Sequence, residues 1–112
     1  MNAVAEVVRS LLALLVDGEW TGLARMTSGS RLSIEDLRGG VADYGRTLAM
    51  PPEETFHELD MVEVEAAVQR TVNVRVPLWT LEEGRSDLEL ALTMSEIADG
   101  LWSVHVDDLL VP

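Results

Sequence analysis

From Val72 to Leu78 every second residue is apolar. Val72, Val74, Val76 and Leu78 fall on one side, and Asn73, Arg75 and Trp79 on the other. A side-chain period of two belongs to a strand with one buried and one wet face, so this run commits the C-terminal half to an antiparallel sheet. Two more runs repeat the pattern. Asp87 to Met94 sets Leu88, Leu90, Leu92 and Met94 against Asp87, Glu89 and Thr93, and Leu101 to Asp107 sets Trp102, Val104 and Val106 against Ser103, His105 and Asp107. A fourth segment, Glu58 to Glu65, holds Leu59, Met61, Val62 and Val64 among acids. With the central strand running from Val68 to Leu81, the spacing predicts about four strands in a meander. Pro77 marks an edge position, a bulge or a bend in the second of them.

Upstream the period is helical. Val4, Val7, Val8, Leu11, Leu12 and Leu15 recur at three- and four-residue steps, with Asn2 placed to cap the helix and Asp17-Gly18 to end it. Glu19 to Met26 reads as a short second helix with Trp20 and Leu23 inward. Ser33 opens a third, with Asp36 at the reciprocal capping position and Ile34, Leu37, Val41, Tyr44 and Leu48 in helical register. Gly39-Gly40 in its middle is either a close approach by a neighbour or a weak point. Pro51-Pro52 is expected to close the helical half. Helices followed by a meander predict one α+β domain over residues 1–112, with two or three helices packed on the apolar face of a curved sheet.

Charge narrows the function classes. Twenty acids oppose eight bases, all arginine, for a formal net charge of -12. Such a surface repels phosphate backbones and disfavours nucleic acid, while it steers toward a basic protein partner. The chain has no cysteine, which excludes disulfides and thiolate metal sites and fits a cytoplasmic location. The N-terminal apolar stretch is broken by Glu6 and Arg9, so neither a signal peptide nor a membrane span is expected.

Candidate chemistry is sparse. His57 lies near Glu54, Glu58 and Asp60, and His105 near Asp107 and Asp108, the neighbourhood that makes a histidine an acid–base or metal-binding candidate. Neither has a recognised motif spacing, and in so acidic a chain these neighbours arise by chance. Ser86 has no nucleophile elbow around it, and phosphate-binding glycine motifs are missing. No catalytic residue, metal ligand or cofactor is assigned. Glu82-Glu83-Gly84-Arg85 reads as a hairpin connection in which Gly84 supplies a positive φ and Arg85 meets a nearby carboxylate. Asp99-Gly100 reads as a second hairpin turn. Asn73, Arg75, Trp79 and His105 share the wet face, and with Arg85 and Asp87 they form the candidate recognition surface.

The segments "VPLWTLEEGRSDLELAL", "YGRTLAMPP" and "VDDLLV" resemble a family of short, functionally uncharacterised bacterial domains. That family has a Pro-Leu-Trp-Thr strand, a Glu-Gly-Arg-Ser-Asp-Leu turn, a Tyr-Gly before a Pro-Pro, and an Asp-Asp-Leu near the end. The resemblance covers Val4 to Val111 and implies no activity. It implies that Arg85, Ser86 and Asp87 recur together, with the arginine and aspartate locking the hairpin around the serine. The element order is also similar to the cone-shaped fold of the ketosteroid isomerase and SnoaL type. The present chain is shorter and lacks the catalytic aspartate and tyrosine pairing of that fold.

The expected function is therefore that of a small acidic binding protein acting by protein–protein contact, an immunity or antitoxin-like role being one version. The alternatives are a small cone-fold enzyme or ligand binder with a pocket under the sheet, and a homodimer formed through the sheet.

Overall fold

The computed structural model describes residues 3–65 and 67–111. The element order is α1 (Ala3–Asp17), α2 (Trp20–Met26), α3 (Ile34–Tyr44), β1 (Leu48–Ala49), α4 (Glu53–His57), β2 (Asp60–Glu63), β3 (Thr71–Thr80), β4 (Gly84–Ala98) and β5 (Leu101–Leu110). Every strand pairing is antiparallel, and β2 through β5 run as the expected meander. β1 and β2 share one edge of β3: Leu48 lies opposite Thr80, and Asp60 to Glu63 lie opposite Arg75 to Val72. The sheet is thus four strands wide although it contains five.

The helices cover one face. Val4, Ala5, Val8, Leu11, Leu12 and Leu15 of α1 are buried, and they join Leu23, Leu37 and Phe56 against the alternate residues of β3, β4 and β5. Each of the valine, leucine and phenylalanine side chains gains about 1.5–3 kcal/mol from leaving water, so the two periods in the sequence meet in one core. Asn2, the expected cap of α1, lies outside the described residues. Trp20 is half-buried against the core.

Local chemistry sets the boundaries. The Ser33 hydroxyl accepts the Asp36 amide at 3.0 Å and opens α3. Gly45, at φ 73°, closes it, which ends the helix at Tyr44 rather than Leu48; Leu48 belongs to β1 instead. Of the glycine pair, Gly40 is the close approach, since a Cβ there would come within 2.7 Å of Leu109 Cδ2, while nothing lies within 4 Å of one at Gly39. Pro51-Pro52 does not close the helical half. Pro52 is the N-cap of α4, a place where a missing N–H costs nothing.

The strands also differ from expectation in length. β2 is four residues long and exposed throughout, so Met61 and Val62 do not define a buried face. Val68 precedes β3 and is fully exposed, and Leu81 is exposed in the turn that follows. β5 runs on to Leu110 because Leu92 faces Val106 while Ala91 faces Asp108. That one-residue bulge inverts the alternation and returns Leu109 to the core side. The outer edge of β5 is occupied at Val106, which accepts from the Leu32 amide at 3.0 Å and donates to Ser30 Oγ at 2.8 Å and so interrupts the row of open groups that edge-to-edge pairing would use.

Candidate functional site: the open sheet face and the cleft at Trp79

The face of the sheet away from the helices carries Asn73, Arg75, Pro77 and Trp79 on β3, and Arg85, Glu89, Ala91, Thr93 and Ser95 on β4. Ser103, His105 and Asp107 continue it on β5. At its β3 edge, between the ends of β1 and β2, the chain leaves the sheet and returns as α4. A cleft of about 320 Å³ opens there, lined by Pro52, Glu54, Thr55, Glu58, Asp60, Arg75, Pro77, Trp79, Arg85 and Glu89. Thr55 and Phe56 are buried. The Arg9 guanidinium grips Glu53 with both nitrogens and lies 4.3 Å from the Phe56 ring centre, so the α4 wall is held against α1.

Three of the six sequence-predicted site residues, Arg75, Trp79 and Arg85, meet in this cleft. Trp79 and Arg85 are direct cross-strand partners. Asn73 borders it beside Arg75, Asp60 and Glu89. His105 and Asp87 are not part of its lining. His105 faces Gly29, a Cβ on which would lie 3.5 Å from Nε2. His57 sits on exposed α4, 3.9 Å from Glu53. Among the described residues no three histidine or carboxylate side chains converge as metal ligands would.

The sequence reading missed Glu54, Glu58 and Asp60 as members of the cleft because it placed no helix at Glu53–His57. Glu89 was legible, since alternation puts it on the same face as Arg75 and Trp79. It lies 3.7 Å from Arg75. Nearer β5, the Thr93 hydroxyl touches the Asn73 carboxamide oxygen at 3.0 Å and bonds the Asp107 carboxylate. Having one proton, it gives it to the charged acceptor.

The motif Thr80 to Asp87 is built differently from the lock expected of it. β3 and β4 lose register between Pro77 and Trp79, where one residue of β3 faces three of β4. Slipping by two keeps every side chain on its own face. Inside the bulge the Ser86 hydroxyl donates to the Leu78 carbonyl at 2.8 Å and accepts the Leu88 amide at 3.1 Å, standing in for missing ladder bonds. Gly84 takes φ 74° and allows the tight turn. The two glutamates then fasten the hairpin to the end of α3. Glu82 accepts both the amide and the hydroxyl of Thr47, each at 2.9 Å. Glu83 accepts from Tyr44 Oη and Thr80 Oγ1, each at 3.0 Å. The Arg85 and Asp87 side chains take no part, and among the described residues Arg85 has no ion pair.

The Thr47 amide and the other donors hold the Glu82 carboxyl below the ordinary glutamate value of 4.5, and Arg9 does the same for Glu53. A folded pKa below the unfolded one stabilises above the unfolded value and ceases to do so as pH falls through the folded value. Melting temperature should therefore drop below about pH 4.5, and Glu82→Gln with Glu53→Gln should flatten that drop while lowering the neutral-pH value. An unchanged slope in the double variant would remove both contacts as the cause.

Over residues 12–112 the sequence matches the family described as a domain of unknown function, DUF7668. The chain belongs to this family. No curated protein and no solved structure matches it. The α+β architecture, with N-terminal helices on an antiparallel sheet, thus describes a DUF7668 domain. Among the described residues no helix of this domain is long and apolar enough to cross a membrane.

Proposed function

We propose that this DUF7668 domain is a binding module of the bacterial cytoplasm that engages a basic protein partner through its open sheet face, centred on Trp79. The observation that carries the reading is the placement of a half-buried tryptophan in a cleft rimmed by Glu54, Glu58, Asp60 and Glu89. An amphipathic ring in a partly closed, charged setting is the usual anchor of an interface. The net charge of -12 raises the encounter rate with a positive surface. An immunity-like role against a basic toxin is one form of this function.

Enzymatic use is less favoured, because neither His57 nor His105 lines the cleft. Self-association through this face is also less favoured, since a two-fold contact sets the same acidic rim against itself.

The test is affinity capture from the native host, followed by reconstitution with the purified, identified partner. A basic protein, encoded nearby in the immunity version, should bind the wild-type chain. It should bind Trp79→Ala at least tenfold more weakly, and lose affinity as salt rises. Absence of any basic partner, or binding indifferent to Trp79 and to salt, removes the proposal.

A further inference from the structure

We infer that the cleft between α4 and the β3–β4 surface is a seat for a single arginine or lysine side chain of the partner. This inference rests on the binding role proposed above and deepens it.

The first argument comes from the other two tryptophans and the phenylalanine. Arg38 lies over Trp20 at 5.8 Å, Arg70 over Trp102 at 5.5 Å and Arg9 over Phe56 at 4.3 Å. Among the described residues Trp79 carries no cation over its ring, although Arg85 is its cross-strand partner. Indole is the best of the aromatic faces for a cation, and Trp79 lines the cleft.

The second argument is charge. Arg75 is engaged by Glu89. The Glu54, Glu58 and Asp60 carboxylates have no hydrogen-bond or ion-pair partner among the described residues; with Glu89 they set four acids in the cleft lining against two bases, Arg85 and Arg75, the latter opposite Asp60 on the neighbouring strand. A cation entering the cleft therefore meets a surplus of negative charge at close range.

The third is shape. About 320 Å³ is the small end of ligand-site volumes and suits one long side chain. Pro52, Pro77 and the Trp79 ring offer apolar wall to its methylene stem. Arg85, also in the lining, opposes a cation there.

The test is calorimetric titration of the full chain with an acetylated, amidated tetra-arginine peptide. Trp79→Leu, which keeps apolar bulk without a π-face, and Trp79→Ala should both weaken binding about tenfold, with folding verified by circular dichroism. Glu58→Gln with Asp60→Asn should weaken it severalfold more than Glu35→Gln with Asp43→Asn, which removes equal charge from α3. Arg85→Gln should strengthen it. If the two charge pairs act alike, or Trp79→Leu binds normally, the seat is overturned while a basic partner elsewhere on the surface stands. Weaker binding in Arg85→Gln overturns it. No binding by the wild type overturns the seat, and the capture experiment then decides the broader proposal independently.

Discussion

Ser86→Ala should destabilise the domain by about 2–4 kcal/mol, read as a lower urea midpoint at unchanged slope. The hydroxyl is the bulge's substitute for a ladder rung, bonded to the Leu78 carbonyl and the Leu88 amide. Leu78 and Leu88 are 3 % and 1 % exposed, so water does not replace what alanine removes. Each orphaned buried backbone group costs about 1–3 kcal/mol, and some relaxation of the bulge offsets part of the sum. A loss below about 0.5 kcal/mol, the ordinary scatter of surface changes, would mean that the hydroxyl is incidental. Arg85→Ala, one residue away, should leave stability within that scatter, because its side chain has no ion-pair partner among the described residues.

Leu90→Ala should cost more, about 2–5 kcal/mol, a large share of the 5–15 kcal/mol that ordinarily holds a domain folded. Leu90 is completely buried in β4, between Val76 of β3 and Leu109 of β5. Neighbours fixed by two ladders cannot close the hole its side chain would leave. Val62→Ser is the matched contrast. Both valine and leucine sit in predicted strands, but Val62 is 59 % exposed and its replacement should fall within about 0.5 kcal/mol of wild type. Equal costs at the two positions would show that β2 is packed against something in solution.

That contrast marks how far the sequence could be read. Alternation located β3, β4 and β5 and named their buried residues, because a two-sided sheet writes its environment into every second position. It failed where the backbone departs from period two. The bulge at Asp107 hid the last residues of β5, and the apolar residues of β2 imitated a core strand although Met61 and Val62 are exposed. The five-residue α4 is too short to show a helical period, so the acidic wall of the cleft went unseen. Trp79, Arg75 and Arg85 were legible as neighbours because strand geometry alone puts them on one face. Asp87 and His105 share the sheet with them but not the cleft, a distinction of end and edge that face assignment does not capture. The Thr80–Asp87 motif was legible as a turn. Its partners, Tyr44 at the end of α3 and Thr47 just before β1, lie 39 and 35 residues away in sequence and no local pattern announces them.

The excursion between β1 and β2 has a consequence for how such domains diversify. Both ends of this segment are stitched to the same edge of β3, and Phe56 pins its middle into the core. Glu54, His57 and Glu58 remain outward. One wall of the candidate site can therefore be rewritten in charge while its anchor and the sheet behind it stay the same. Under the proposed binding role, a change of partner would then be written in a handful of surface letters between Pro52 and Asp60.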